Sequence, residues 1–121
     1  MGDQVFSERS MHYLTKQFAK DHRRAADPNW VRDRCMDHCD AFVAYLRAWM
    51  ADVDVEIISG VKVERVDGMT LIQQGHFAVL HDGLVYDWTA RQFDPDAPFP
   101  MVAPLAEWRQ KWPTLEGATR E

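Results

Sequence analysis

Gly75-His76-Phe77-Ala78-Val79-Leu80-His81-Asp82-Gly83-Leu84-Val85-Tyr86-Asp87-Trp88-Thr89 decides the fold. Two apolar runs, Phe77 to Leu80 and Leu84 to Trp88, flank Asp82-Gly83. Asp-Gly between such runs is a strong local signal for a two-residue hairpin. With that loop, His81 opposes Leu84, Leu80 opposes Val85, Ala78 opposes Asp87 and His76 opposes Thr89. Opposed residues share a face, and so do residues two apart on one strand. His76 and Asp87 therefore lie on one face as diagonal neighbours, at a separation of roughly 7–8 Å that long side chains bridge. An Asp there accepts from one imidazole nitrogen and fixes the tautomer. The other nitrogen is left free to act as a base.

Upstream, Val53, Val55, Ile57, Val61 and Val63 alternate with polar residues over much of their run and predict a strand through Val66. Asp67-Gly68 is a second turn signal, Met69 to Ile72 returns as a strand, and Gly75 is expected to interrupt it. Before the strands come two helices. Met11, Leu14 and Phe18 recur at helical spacing from Ser7, the expected N-cap, to about Ala25. Ala26-Asp27-Pro28-Asn29 ends that helix. Asp33 is the expected N-cap of the next, Arg34 to about Met50, with Cys35, Cys39, Phe42, Leu46 and Trp49 on a core-facing stripe. Downstream, 94–100 is a Pro-rich loop, Pro104 opens a short helix through Trp112, and 113–121 is expected as a frayed tail. Helices first and an antiparallel sheet of about four strands after them give an α+β class in one domain, 1–121.

The composition is that of a globular chain. Of 121 residues, 46% are hydrophobic and 27% charged, and the net charge is −5. An acidic balance without basic blocks argues against nucleic acid as a partner. No run approaches the roughly 20 apolar residues of a membrane span. The first residues lack the order of a signal peptide, and Gly2 stands in a poor myristoylation context. A cytoplasmic protein with no membrane association is expected. The two cysteines, Cys35 and Cys39, are too few for a disulfide framework and are expected reduced.

Cys35 falls in the first turn of the second predicted helix. Unpaired backbone N–H groups and the positive end of the helix dipole favour a thiolate there. Cys39 lies one turn deeper and gains less from the dipole. Physical chemistry thus favours Cys35 as nucleophile, with Cys39 the alternative. A nearby imidazolium would lower the thiol pKa further. Cys35, Cys39, His76 and His81 together also approach zinc-ligand spacing. Against that, His76 and His81 stand an odd number of residues apart and point to opposite faces of a regular strand.

These residues resemble a family. Arg34-Cys35-Met36-Asp37-His38-Cys39-Asp40-Ala41-Phe42-Val43-Ala44-Tyr45-Leu46-Arg47-Ala48 is similar to the nucleophile helix of the transglutaminase-like cysteine enzymes, whose far end often reads Leu-Arg-Ala. The strand that follows ends near a Gly, here Ile57-Ile58-Ser59-Gly60, and Tyr86-Asp87-x-Thr89 resembles the family's Asp-Pro-Thr, with Trp88 in place of Pro. The resemblance runs from Arg34 to Phe93. It implies a papain-like fold and a triad of Cys35, His76 and Asp87. In a second register, His38-Cys39-Asp40-Ala41-Phe42-Val43 is similar to the nucleophile stretch of the NlpC/P60 peptidases, which makes Cys39 the nucleophile. The Gly-Asp-Leu motif usual in those enzymes is absent.

The expectation is a cysteine hydrolase, peptidase or deamidase, acting on an amide bond of a protein or peptide through an acyl-enzyme. Acyl transfer of transglutaminase type and a non-catalytic binding module, of the kind phage and bacterial effectors use, are the alternatives. No cofactor and no metal are called for, and the oligomeric state stays open. The Cys35 backbone N–H, Asn29 and the Trp30 indole are candidates for the oxyanion site. Gln92 and Trp88 are candidates for contact with substrate.

Overall fold

A computed structural model of the chain describes residues 2–119. Helix α1 spans Gly2–Asp21, a 3-10 turn follows at Arg23–Ala26, and α2 spans Cys35–Trp49. Strands β1 (Glu56–Val66), β2 (Met69–His81), β3 (Leu84–Asp87) and β4 (Met101–Pro104) form one antiparallel sheet in the order β1-β2-β3-β4. A 3-10 turn at Ala90–Gln92 links β3 to β4, and α3 (Leu105–Lys111) and α4 (Leu115–Thr119) close the chain. The architecture is α+β, with N-terminal helices packed on a four-stranded sheet. None of the described helices is long and apolar enough to cross a membrane.

Both Asp-Gly pairs make the turns their chemistry favours. Asp67 and Gly68 have φ of 52° and 78°, and Asp82 and Gly83 have 49° and 77°. Two successive positive φ values mark the type I′ turn, whose twist matches the flanking strands. The β2–β3 register is Val79↔Tyr86, Leu80↔Val85 and His81↔Leu84. One further step sets Ala78 against Asp87, as the hairpin arithmetic requires.

The period-two alternation sends the sheet residues to two different layers. Val79, Tyr86 and Trp88 join Phe18 of α1 and Phe42 and Leu46 of α2 in the larger core cluster. Ala78 and Val85 face the other way, onto Trp108 and Trp112. At Gly60 the α3 end comes so close to β1 that an added Cβ would stand 2.5 Å from the Trp112 Cβ. Only glycine fits this approach.

Several expectations change. Helix α1 starts at Gly2, so the expected N-cap Ser7 falls inside it, and its side chain lies outside the described residues. Asp33 does not cap α2. It sits at φ 62°, Arg34 takes the N-cap position, and no side chain bonds there. Trp49 ends α2 at 67% exposure instead of facing the core, because the chain turns and Met50 and Val53 take the place against the cluster. The first strand begins at Glu56, three residues later than expected. Gly75 does not interrupt β2. It pairs with Val61, and the irregularity falls between Lys62↔Gln74 and Val63↔Ile72, which leaves Gln73 as the extra residue of a bulge. Strand β4 was not expected, since four residues ending in Pro carry too little periodicity. As an edge strand it tolerates Pro104. Residues 113–119 are not a loose tail: the Val61 N–H donates to the Pro113 carbonyl, and α4 follows.

Candidate active site

Cys35, the first residue of α2, is half-buried. His76 in β2 and Asp87 at the end of β3 are both buried. The hairpin places His76 and Asp87 on the same face, and their side chains meet: His76 Nε2 is 2.7 Å from Asp87 Oδ2. The carboxylate has two more donors. The Trp108 indole N–H reaches Oδ2 at 3.0 Å and the Thr89 backbone N–H reaches Oδ1 at 3.2 Å. A carboxylate with three donors is held in one orientation. Strand β3 ends at Asp87, so β2 has no partner strand on that edge at His76 and Phe77, and Cys35 meets the Phe77 backbone N–H there.

With Nε2 committed to Asp87, Nδ1 is the free nitrogen, and it is buried without a hydrogen-bond partner. Cys35 is the reactive group that interacts with His76 on this side. Burial raises the Cys35 pKa, but interaction with the His76 ring and the backbone N–H groups of Phe77 and Met36 outweighs it, so the thiol is held below its ordinary value. The contact falls short of full hydrogen-bond geometry at Nδ1, yet the direct thiol–imidazole interaction lowers the Cys35 pKa more than the bare charge of the ring does. Burial pushes the His76 pKa down, yet the Asp87 hydrogen bond and charge, together with Cys35, raise it to about 9. A depressed thiol beside an elevated imidazole is the electrostatic condition for a thiolate–imidazolium pair.

Cys39 is different in kind. It is 2% exposed inside the α1–α2 cluster, and burial, with Cys35, Asp87 and Asp40 nearby, pushes its pKa up out of the titrating range. It is a protonated core thiol. His81 sits at the far end of β2, where its Nδ1 donates to the Asp54 carbonyl at 2.9 Å. His81 is thus removed from Cys35, Cys39 and His76, and among the described residues no three His, Cys, Asp or Glu converge on a metal position.

The remaining predicted residues are scattered. Gln92 spans two loops: its Oε1 accepts from the Asp33 N–H at 3.1 Å and its Nε2 donates to Thr89 Oγ1 at 3.0 Å. It ties the segment before Cys35 to the segment after Asp87. Trp30 is covered by the Arg34 guanidinium, 4.3 Å from its ring centroid, and its carbonyl accepts from Arg34 Nε. Asn29 is exposed, with its backbone N–H turned to Asp27. Trp88 is a core residue, packed on Phe18 at 4.6 Å and Phe42 at 5.0 Å. It follows Asp87 directly, so the alternation sends it to the opposite face.

The sequence reading missed what encloses the imidazole. Phe93 and Trp112 pack on His76 at 4.9 and 4.6 Å between centroids. Trp108 supplies the third donor to Asp87. The one available signal was the spacing of Trp108 and Trp112, four apart on a short helix, which puts both on one side. No family model, curated protein or solved structure matches the chain.

Proposed function

We propose that this chain is a cysteine hydrolase, a peptidase or deamidase, that cleaves an amide bond of a protein or peptide on a papain-like arrangement of helix and sheet. The observation that carries the reading is the buried His76: one nitrogen is fixed on Asp87 at 2.7 Å and the other is unpartnered beside a half-buried thiol of lowered pKa. Nothing in a packed core requires a fully desolvated imidazole so arranged.

The chemistry follows from the atoms. The Cys35 thiolate attacks the amide carbonyl carbon, and an S–C bond forms. The first-turn N–H groups of α2, the Cys35 N–H among them, have no intrahelical partner and serve the developing oxyanion. As the C–N bond breaks, His76 Nδ1–H gives its proton to the leaving nitrogen. Water then attacks the thioester and loses a proton to Nδ1, and the thiolate leaves with the imidazolium restored beside it. Asp87 keeps Nε2 protonated and orients the ring. Trp108 is a positioning residue that holds Asp87 to this task.

The test is the alkylation rate of each cysteine by iodoacetamide against pH, read by peptide mass mapping. Cys35 is expected to react fast well below the ordinary thiol pKa of about 8.5, and about tenfold or more slowly in His76→Ala. Cys39 is expected to stay unmodified in the folded protein. A Cys35 that reacts slowly and indifferently to His76 would overturn the reading in favour of a binding role.

A further inference from the structure

Beside the His76–Asp87 pair lies a cavity of about 180 Å³. Phe93, Trp108 and Trp112 line it, together with Asp87, Lys62 and Lys111. Phe93 and Trp112 are the two rings packed on His76, so the cavity is one ring's thickness from the imidazole.

The charges of this cavity are unbalanced in use. Asp87 has both oxygens committed, to His76, Trp108 and the Thr89 N–H. Asp94, exposed in the lining, accepts one backbone N–H, from Asp96, and keeps its charge, which one of the two lysines offsets and the other exceeds. The cations have no such partners. Lys62 Nζ lies over Trp112 and Phe93, 4.8 and 5.4 Å from the ring centroids. Among the described residues neither Lys62 nor Lys111 pairs with a carboxylate. Aromatic faces hold an ammonium in place without neutralising it. Two ammonium groups, one of them in excess of the Asp94 carboxylate, on an aromatic-walled cavity of this size make a receptor for one small anion on an apolar stem.

We propose that this cavity is a carboxylate subsite of the Cys35 site, and that the substrate is an acidic peptide. The carboxylate belongs either to an Asp or Glu side chain or to a chain terminus near the scissile amide. The hydrolase reading is needed only to call that carboxylate a substrate's; binding of the anion does not depend on it.

The experiment titrates three small probes into the 15N-labelled protein and follows the Trp108 and Trp112 indole resonances. Acetyl-glutamate amide offers a side-chain carboxylate, acetyl-glutamine a terminal one, and acetyl-glutamine amide neither. At least one acidic probe is expected to shift these resonances saturably, and the neutral one to leave them in place. The probe that binds names the source of the carboxylate. Lys62→Met and Lys111→Met, both at exposed positions, are expected to weaken binding about tenfold each, the size of one charge-assisted hydrogen bond. Saturating acidic probe is expected to slow iodoacetamide at Cys35. Equal shifts from the neutral probe, or unchanged binding in both lysine variants, would overturn the subsite. Binding without protection of Cys35 would detach the cavity from the thiol. Alkylation indifferent to His76, with carboxylate binding intact, overturns the hydrolase reading alone.

Discussion

The two faces of the sheet are built on opposite terms. The face under α1 and α2 buries Phe18, Phe42, Leu46, Val79 and Trp88, and it treats polar atoms as by-products: the Trp88 indole N–H and the Thr15 hydroxyl are buried there without partners. The face under α3 buries an imidazole and a carboxylate and surrounds them with donors and rings, leaving His76 Nδ1 without a partner on the Cys35 side. Burying an unpaired titratable group costs several kcal/mol, so the second face exists only because its charges are matched. Stability resides mainly on the first face; the second holds the His76–Asp87 pair, to which the start of α2 brings Cys35. Side chains that alternate along one short hairpin, Asp87 and Trp88, divide between the two.

The largest effect should come from the first face. Phe42 is fully buried between Phe18, Tyr86 and Trp88. Phe42→Ala is expected to cost about 3–5 kcal/mol in urea unfolding, a large share of the stability of so small a domain. Cys35 should keep its alkylation midpoint in whatever fraction stays folded. A midpoint that moves with Phe42 would mean that the two faces are not separable.

The second face should show itself through pH. The His76 pKa is raised from 6.5 to about 9, first through Asp87. A group of raised folded-state pKa contributes stability that is fully present below the unfolded value and is lost as pH rises through the folded one. The Cys35 thiol, lowered from 9.0, acts with the opposite sign: its contribution is present above 9.0 and lost as pH falls through the folded value. Removing the thiol isolates the imidazole. The stability difference between Cys35→Ser and Cys35→Ser/His76→Gln should therefore shrink as pH rises from 6.5 toward 9, by about 1–2 kcal/mol in thermal or urea unfolding. A difference that is flat across that window would mean that Asp87 does not hold an imidazolium.

How much was legible in the sequence also divides along these lines. The β2–β3 hairpin, its register and the His76–Asp87 diagonal follow from Asp82-Gly83 and the alternation around it, because turn chemistry and period two are local. The start of α2 within a residue of Cys35 was legible for the same reason, although the capping argument from Asp33 was not correct: the backbone there is left-handed and bonded to Gln92 across a loop. What encloses the pair was not legible. Trp108, Trp112 and Phe93 reach His76 and Asp87 only through β4 and the turn of the chain into α3, and a four-residue edge strand leaves almost no pattern. Trp88, readable as a substrate contact or as core packing, is core: its position next to Asp87 fixes it on the helix side.

The smallest effect tests where the two faces end. Gly60 and Gly75 stand one residue out of step on paired strands, Gly60 opposite His76 and Gly75 opposite Val61. They point to different faces. At Gly60 an added Cβ meets Trp112 backbone and side chain at 2.5–2.9 Å, where the backbone atoms cannot yield. At Gly75 it meets nothing within 4 Å, and the backbone is not left-handed. The helix layer has therefore stopped short of Gly75, while the α3 side still presses on Gly60. Gly75→Ala is expected to raise stability by about 0.4–1 kcal/mol, by restricting the unfolded chain with no new clash. Gly60→Ala should lower it by more than that and disturb Cys35 reactivity through Trp112 and His76. If Gly75→Ala destabilises, the distal part of β2 is packed against something on its helix side, and the boundary drawn between the two faces is misplaced.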